Sequence, residues 1–386
     1  MAELLVGTPP QIINITVDTG SSDTWVVAAS DPYCGDPATD NCAWGIYNQS
    51  ESSTYEVLNH NFNITYADYS GAYGVYASES VILGDFHLSN YTLGVAFNST
   101  MVYGYLGLGM ESIEATELFV TPPYEYTNFL PALKDQGYID RRAFSLYLNG
   151  PDGDYGNILF GAVDHAKYEG PLFTLPIVNN QPTEFAVARE YTVQLNEISL
   201  SNGDVLQSVA QPFLLDSGYT LTALWEDVFT FAINELFQAS YNEEFGYYVR
   251  DCNFHSDLSL VFTFPGGYTI EVPLTDFVLP LEGNICLVAL MPTLDAGESV
   301  AGDPVLRRMY AVYDQESWTI SLGQAKLNES DCSISILPSL KSSVPPATAP
   351  VTALSKTLPA IITPVGSTTV AGITTASSSS GNSCPA

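Results

Sequence analysis

Basic residues are scarce in this sequence, and their scarcity limits the partners that the protein can have. Lysine and arginine together number 11 against 43 aspartate and glutamate residues, so the formal net charge at pH 7 is −32. A surface of that sign repels phosphate backbones and anionic lipid, which argues against nucleic acid as a partner. Because protonation neutralises carboxylates as the pH falls, the composition favours acidic surroundings.

Long apolar runs, metal-binding motifs and a targeting segment are lacking as well. No apolar run reaches the length that spans a bilayer. Residues 1–10 lack the basic start and apolar stretch of a signal peptide, which by itself would point to a cytosolic protein. The four histidines are scattered and the six cysteines have no C-x-x-C spacing. We therefore expect no metal and no cofactor.

The cysteines and the glycosylation triplets indicate an oxidising compartment instead. Cys34 and Cys42 would close a short loop rich in Gly, Pro and Asp, and Cys252 and Cys286 lie near each other in the second half. Disulfides are the preferred interpretation, with any pairing of Cys332 and Cys384 left open. N-x-S/T triplets, which also arise by chance, occur at Asn14, Asn48, Asn63, Asn90, Asn98 and Asn328. We expect a secreted or cell-surface protein whose signal and propeptide are missing from this chain.

The pattern along the chain predicts a β-dominated fold followed by a tail. Up to about residue 324, short apolar runs alternate with Gly, Asp, Asn and Pro turns, as at 12–17, 75–83, 157–160 and 311–322. The clearest predicted helix is 226–239, with a core stripe of Val228, Phe229, Ala232, Ile233 and Leu236. From 331 to 386 we expect a disordered Ser/Thr/Pro-rich tail, either an O-glycosylated stalk for cell-surface attachment or a plain linker.

A motif is repeated in the two halves. Residues 15–25 read I-T-V-D-T-G-S-S-D-T-W, and residues 213–221 read F-L-L-D-S-G-Y-T-L. Each copy is an apolar strand that ends in Asp, followed by a small hydroxyl residue, Gly and a polar turn. One copy would be weak evidence, since D-S-G also occurs by chance. Two copies predict two carboxyls, Asp18 and Asp216, delivered to partly buried positions.

Such a pair is suited to hydrolysis without a metal or a covalent intermediate. If the halves pack symmetrically, the carboxyls face each other, and like charges that close cannot both ionise. One proton is then shared: the ionised Asp takes a proton from water while the other donates to the substrate carbonyl. Gly20 and Gly218 would let the backbones approach closely. Thr19 and Ser217 offer hydroxyls that could tie one loop to the other.

These motifs resemble the pepsin family of aspartic proteases, and within it the fungal yapsin-like members. The resemblance covers about residues 4–326, and the segments that carry it are V-G-T-P-P-Q at 6–11, D-T-G-S-S at 18–22, I-T-Y at 64–66, Y-L-G-L-G at 105–109, F-S-L-Y-L at 144–148, I-L-F-G-A-V-D at 158–164 and A-G-D-P-V-L-R at 301–307. It implies a bilobal fold with pseudo-two-fold symmetry and few short helices. The lobes would be 1–178, with the first strand missing, and 179–330.

The resemblance also implies a role for each matching residue. Asp18 and Asp216 would be the acid–base pair, and Thr19 and Ser217 would support the interlobe hydrogen bonds. The Ser21 hydroxyl would bond the outer oxygen of Asp18. Gly20 and Gly218 would present backbone groups to the substrate. The flap and substrate-binding residues would be Tyr66, Asp68, Trp25, Tyr219 and Thr220, with Tyr66 closing over the substrate and bonding Trp25. Trp25 as simple core packing and Ser21 as a plain turn residue remain alternatives.

The sequence departs from the family pattern in two places near these residues. Tyr219 occupies the position of the usual Ser or Thr beside the second Asp, so Thr220 or a water would replace that hydroxyl, or the pKa balance of the pair would shift. In the flap, Ala67 and Tyr69 replace glycines, and residues 71–74 indicate a one-residue insertion. Four acids could attract a basic substrate side chain: Asp31, Asp36, Asp40 and Asp68. The favoured interpretation is that they are solvated acids in loops.

The leading hypothesis is a monomeric aspartic endopeptidase that hydrolyses peptides or proteins at acidic pH. The alternative, motivated by Tyr219 and the altered flap, is a catalytically weak relative that binds peptides. A structural surface glycoprotein is a third hypothesis, against which the paired motifs weigh heavily. The side-chain preference, the natural substrate and the presence of a lipid anchor in the complete protein are not determined by the sequence.

Overall fold

Strands dominate the structure and helices are few and short, as the alternating apolar pattern predicts. The computed structural model describes residues 1–34, 42–151, 155–293, 298–342 and 344–348. The chain divides into two compact units. The first unit comprises Met1–Arg142 together with two short returns of the chain, Arg189–Tyr191 and Leu214–Tyr219. The second contains Ala143–Ala188, Thr192–Phe213 and the residues from Thr220 onward.

The first unit is built on one seven-stranded sheet. Its elements are Ala2–Val6 (β1), Gln11–Asp18 (β2), Thr24–Val27 (β3), Glu56–Thr65 (β4), Gly71–Leu83 (β5), Phe86–Ser99 (β6), Tyr105–Gly107 (β7), Ala115–Leu118 (α1) and Phe129–Asp135 (α2), with 3₁₀ turns at Gln49–Glu51 and Glu111–Ile113. The strand order is β1-β2-β7-β3-β6-β5-β4, and β1 also pairs with β5, so six of the strands form a closed ring. Strand β2 shows the expected period of two, with Ile13 and Ile15 buried and Ile12 exposed.

The second unit consists of several smaller sheets. Its elements are Ala143–Tyr147 (β8), Asn157–Phe160 (β9), Ala162–Asp164 (β10), Tyr168–Pro176 (β11), Thr192–Leu195 (β12), Glu197–Leu200 (β13), Val205–Gln207 (β14), Gln211–Leu215 (β15, whose last two residues belong to the first unit), Thr222–Leu224 (β16), Glu226–Phe231 (α3), Ser240–Asn242 (β17), Tyr247–Asp251 (β18), Ser259–Thr263 (β19), Thr269–Pro273 (β20), Val278–Glu282 (β21), Ile285–Val288 (β22), Leu290–Pro292 (β23), Ser299–Ala301 (β24), Asp303–Leu306 (α4), Met309–Asp314 (β25), Thr319–Ala325 (β26) and Ile334–Ile336 (β27). A 3₁₀ turn spans Leu274–Phe277.

The sheets of the second unit explain why the division differs from the predicted boundary at residue 178. The orders are β11-β26-β25-β8-β9, β12-β15-β24-β16-β23, β14-β13-β19-β20, β17-β18-β22-β21 and β10-β27. Strands β8, β9 and β11 share a sheet with β25 and β26, which come from the far end of the fold. Because those backbone hydrogen bonds are long-range pairings, the segment 143–178 belongs with the second unit rather than the first.

Two predicted elements need correction in their details. The run at 311–322 is a hairpin of β25 and β26, because the Asp314 carboxylate accepts bonds from the Glu316 and Ser317 amides and closes a turn there. The helix at 226–239 begins at Glu226 as predicted, but it continues as a π-helical segment, Ala232–Phe237. The wider π-helical turn moves the buried face of the helix by one residue, so Phe237 is fully buried and Leu236 only partly.

The predicted disordered tail is ordered at its start. Ile334–Ile336 pairs antiparallel with β10, and the Leu337 amide donates to the Gly161 carbonyl. This short strand satisfies the open edge of β10, which accounts for order in a segment whose composition indicated none. Residues 349–386, including Cys384, lie outside the described residues.

Both predicted disulfides are present, Cys34–Cys42 and Cys252–Cys286. Within the described ranges, no helix combines the length and the apolarity needed to cross a membrane. In the same ranges no group of three or more His, Cys, Asp or Glu side chains is arranged to hold a metal ion.

Candidate active site

Asp18 is the last residue of β2, and its backbone is held in the sheet. It pairs with Gly107 of β7, and its carbonyl accepts the Leu108 amide at 2.8 Å. The side chain is only 4% exposed. Its Oδ1 accepts the Gly20 amide at 2.8 Å, and its Oδ2 accepts the Ser21 hydroxyl at 2.5 Å. The bond that the resemblance implied between Ser21 and Asp18 is therefore present.

Asp216 follows β15 directly, so the second motif also ends an apolar strand. Phe213 and Leu215 are fully buried, which anchors the strand that delivers the carboxyl. Oδ1 of Asp216 accepts the Gly218 amide at 2.8 Å, as Asp18 accepts that of Gly20. Since Leu214–Tyr219 belongs to the first compact unit, both aspartates lie within one unit of the structure.

The two carboxyls face each other, and the glycines make that approach possible. Asp18 and Asp216 are joined by a hydrogen bond between their side chains. A Cβ built on Gly20 would overlap the carboxyl of Asp216, and one built on Gly218 would overlap that of Asp18. Neither glycine has a positive φ, so glycine is required here by space and not by backbone conformation.

Thr19 and Ser217 hold the two loops in register. The Thr19 hydroxyl donates to the Leu215 carbonyl at 2.8 Å, and the Ser217 hydroxyl donates to the Val17 carbonyl at 2.9 Å. Each hydroxyl also accepts the other residue's amide, at 3.2 Å for Thr19 N and 2.9 Å for Ser217 N. These four bonds fix the separation of the strands that carry the carboxyls.

The surroundings of the two carboxyls are unequal. Burial raises the pKa of Asp18, but the hydrogen bonds from Ser21, Gly20 and Asp216 oppose that rise. Burial and the nearby Asp18 charge raise the pKa of Asp216 well above its usual range. Glu190 adds a smaller contribution of the same sign to the pKa of Asp216. The like charge of Asp18 and burial act together on Asp216, whereas hydrogen bonds oppose the effect of burial on Asp18, so a shared proton is favoured on Asp216.

Tyr66 and Trp25 meet as the resemblance implied. The β4–β5 hairpin turns through residues 66–70, which we call the flap. The Trp25 indole Nε1 donates to the Tyr66 hydroxyl at 2.8 Å, and both rings pack against Tyr105 with centroids 6.0 and 5.0 Å away. Trp25 is also fully buried, so its core role and its contact with the flap hold together.

The flap tip is shaped by Asp68 and Tyr69. Asp68 Oδ1 accepts the Ser70 amide at 2.9 Å and the Ser70 hydroxyl at 2.5 Å, which tightens the turn. Tyr69 has φ 65° and an 89% exposed side chain. A left-handed residue with a bulky side chain is uncommon, and Tyr69 lies where the family pattern has glycine.

Tyr219 is close to the pair through its backbone, with its amide donating to the Asp216 carbonyl at 3.4 Å. Burial, Asp216 and Asp68 raise the pKa of the Tyr219 phenol to about 12, so it remains a neutral group. Among the acids considered for substrate attraction, Asp31 is fully buried and accepts the Tyr33 and Cys34 amides, which makes it structural and not solvated. Asp36 and Asp40 lie outside the described residues.

A buried acidic cluster of Asp23 and Glu114 was not predicted. Asp23 accepts the Tyr76 hydroxyl at 2.6 Å, the Tyr126 hydroxyl at 2.9 Å and the Ala115 amide at 2.7 Å. Glu114 is fully buried, and burial raises its pKa to about 10. Asp23 lies within the first motif, but its partners come from distant segments, so no local pattern predicts them.

Comparison with known proteins shows to which family the chain belongs. The model of the family described as eukaryotic aspartyl protease matches residues 1–325. The chain belongs to that family. It is 36% identical to aspartic proteinase yapsin-3 of Saccharomyces cerevisiae over 356 residues, covering 89% of this chain and 69% of the yeast protein. It is also 36% identical to secreted aspartic protease 8 of Candida albicans, covering 87% and 78% of the two chains.

The solved structure of the Irpex lacteus aspartic proteinase has the same fold, with a TM-score of 0.69 at 21% identity, covering 84% of this chain and 94% of that one. The predicted fold class and family are thus confirmed. As a member of the aspartyl protease family with proteinases as its relatives, the chain is an aspartic-type endopeptidase.

Proposed function

We propose that Asp18 and Asp216 are the catalytic pair of this endopeptidase and that they hydrolyse peptide bonds in acid. One observation carries the proposal: two facing carboxyls at the ends of two strands have unequal surroundings. Two carboxyls so placed hold one proton between them over an acidic pH range, which is the working state of an aspartic protease. Activity is then lost as the pH falls through the pKa of Asp18 or rises through that of Asp216.

In the proposed reaction, water is the nucleophile and no covalent enzyme intermediate forms. Ionised Asp18 takes a proton from the water, and the water oxygen bonds to the scissile carbonyl carbon. Asp216 donates its proton to the carbonyl oxygen, which gives a neutral tetrahedral diol. The diol then collapses: Asp216 takes a proton from one diol hydroxyl as the C=O bond re-forms, the C–N bond breaks with its electron pair leaving on nitrogen, and Asp18 donates its proton to that nitrogen. The two carboxyls thereby exchange the roles of base and acid.

The neighbouring residues support this chemistry by holding atoms in place. The bonds among Thr19, Ser217 and the two strands fix the carboxyls before substrate arrives, so little reorganisation is needed during the reaction. Gly20 and Gly218 leave backbone groups accessible where side chains would overlap the aspartates. Tyr66, anchored by Trp25, would close over an extended peptide bound beside the pair.

The test compares Asp18→Asn and Asp216→Asn with Asp85→Asn, which alters an exposed acid elsewhere in the first unit. Cleavage of an unfolded protein is measured across acidic pH, with and without a peptide that mimics the tetrahedral intermediate. We expect loss of at least about a thousandfold in kcat for the two active-site variants and none for the control. Inhibitor-sensitive cleavage that survives in both active-site variants would overturn the proposal and leave a peptide-binding role.

We further propose that the protein acts as a secreted or cell-surface monomer on peptide or protein substrates. The two disulfides favour an oxidising compartment, and one relative is named as a secreted protease. Attachment through the Ser/Thr/Pro-rich tail is part of this proposal. Fractionation of the cells that naturally produce the protein, with detection by an antibody raised against this chain, tests it: recovery in the medium or wall is expected, and recovery in the cytosol would contradict it.

A further inference from the structure

Three residues lie side by side across three strands of the flap hairpin and its neighbour. In the register of β4 and β5, Asn63 is opposite Tyr73, and in that of β5 and β6, Tyr73 is opposite Asn98. Directly opposite residues project from the same face of a sheet. With neighbouring strands about 4.8 Å apart, the two asparagines are about 10 Å from each other with the tyrosine between them.

The face that carries this row is exposed to solvent. Asn63 and Asn98 are exposed, and Tyr73 is 55% exposed despite its large ring. The neighbouring positions Phe62, Ile64 and Ala72 point to the opposite face and are buried in the core with Trp25. The row therefore forms the outer face of the hairpin that ends in the flap.

Both asparagines are the first residue of a glycosylation triplet. Asn63 begins N-I-T and Asn98 begins N-S-T. Two other triplets have their asparagine half-buried and engaged: Asn14 Nδ2 donates to the Trp44 carbonyl, and Asn48 Oδ1 accepts the Ser50 amide at the start of a 3₁₀ turn. Asn90 and Asn328 are exposed as well, but the described strand registers do not place either of them in a cross-strand row with another triplet asparagine.

We propose that Asn63 and Asn98 both carry N-linked glycans and that the two glycans together cover Tyr73. Two bulky, hydrated chains rooted about 10 Å apart fill the space above the single ring between them. They would shield the outer face of the flap hairpin while leaving its buried face unchanged. The proposal rests on the proposed passage through the secretory pathway, but not on peptide hydrolysis.

The modification requires a lipid-linked oligosaccharide diphosphate and the transferase of the secretory pathway. The asparagine amide nitrogen attacks C1 of the N-acetylglucosamine that is joined to the diphosphate, so an N–C bond forms. The C–O bond to the lipid diphosphate breaks, and its electron pair leaves on the diphosphate. The amide gives up one proton, and no oxidant or reductant takes part.

The first measurement is site occupancy on the full chain secreted from yeast behind a secretory leader. The chain has no Lys or Arg before Lys134, so trypsin is unsuitable and a glutamyl endopeptidase is used. Cleavage after Glu56, Glu79 and Glu111 separates Asn63 from Asn98. Enzymatic deglycosylation in heavy-oxygen water then tags each occupied asparagine for mass spectrometry. We expect both sites to be tagged; an unmodified Asn63 or Asn98 in the secreted protein overturns the proposal.

The second measurement asks whether the glycans cover Tyr73. The folded protein is iodinated enzymatically, and the peptide from 57 to 79 reports Tyr73 together with Tyr69, whose side chain is 89% exposed. We expect labelling of Tyr73, normalised to Tyr69, to rise several-fold in the Asn63→Gln/Asn98→Gln variant. The matched control is Asn90→Asp, which removes a triplet elsewhere and tolerates the φ of 51° there.

Glycosidase treatment of the folded wild-type protein gives the same comparison if the double variant is not secreted. Equal labelling of Tyr73 with and without glycans would overturn the covering role. Both readouts are independent of proteolysis, so a chain with inactive aspartates can confirm this inference, and an active one can refute it.

Discussion

Thr19 and Ser217 are reciprocally bonded: each hydroxyl accepts the other residue's backbone amide, and each donates to a carbonyl of the opposite strand. These bonds connect residues that are separated by 198 positions in the sequence. The pairing places the carboxyls that precede Thr19 and Ser217 face to face.

Loss of either hydroxyl should loosen the pair and lower activity. Thr19→Val and Ser217→Ala each leave buried backbone groups without partners, at a cost of about 1–3 kcal/mol in the free energy of unfolding. We expect a lower melting temperature and a fall in kcat larger than any rise in KM. Ser89→Ala, which removes an exposed hydroxyl, is the control. Unchanged kcat in both variants would show that the bonds are not needed for positioning.

Ser21 should set the acid side of the pH profile. Its hydroxyl bonds the Asp18 carboxyl and opposes the rise in the pKa of Asp18. Removal in Ser21→Ala raises the pKa of Asp18, so Asp18 becomes protonated at higher pH as the solution is acidified. The acid limb of kcat/KM should move to higher pH, and kcat should fall by roughly tenfold. Ser21→Thr, which keeps a hydroxyl, should recover the profile; an unmoved limb in Ser21→Ala would contradict the assignment.

The Tyr66 hydroxyl should matter for catalysis through the position of the flap. In Tyr66→Phe the ring can still pack on Tyr105, but the Trp25 Nε1 donor loses its acceptor. A hydrogen bond of this kind contributes about 1 kcal/mol, which corresponds to a decrease of roughly fivefold to tenfold in kcat/KM. Tyr69→Phe at the exposed flap tip provides the comparison. Equal kinetics for the two variants would show that the Trp25–Tyr66 bond does not position the flap.

Glu114 should make the first unit less stable as the pH rises. Burial and the nearby Asp23, Glu111 and Glu125 raise the pKa of Glu114 to about 10, from a usual value of 4.5. Below pH 4.5 both folded and unfolded chains hold the proton. Above it, only the unfolded chain releases the proton readily, so stability falls with rising pH up to the folded pKa.

Glu114→Gln removes this dependence. We expect a melting temperature at neutral pH that is higher than that of the wild type by a few degrees, or about 1 kcal/mol, and little difference in acid. Thermal scans at both pH values measure it, with the exposed Glu56→Gln as control. A shift of the same size at acidic and neutral pH would indicate a packing effect unrelated to ionisation.

Much of the fold and part of the site followed from local patterns. Apolar alternation marked β2 and β9, and the strand-Asp-hydroxyl-Gly repeat marked Asp18 and Asp216, because both signals reside in consecutive residues. The hairpin of β25 and β26 was mistaken for one run because the turn at Asp314 contains no glycine or proline. The strand at Ile334–Ile336 was missed because it is stabilised by its partner and not by its composition.

The sequence by itself determined the family, the β-dominated architecture and the two aspartates. Only the tertiary structure showed that the two aspartates have unequal surroundings, since Ser21 bonds Asp18 and the Asp18 charge raises the pKa of Asp216. The tertiary structure also brought together the buried Asp23 and Glu114 and the row of Asn63, Tyr73 and Asn98. The physical reason is the same in each case: hydrogen bonds, burial and charge act over distances in space, and the residues concerned are far apart along the chain.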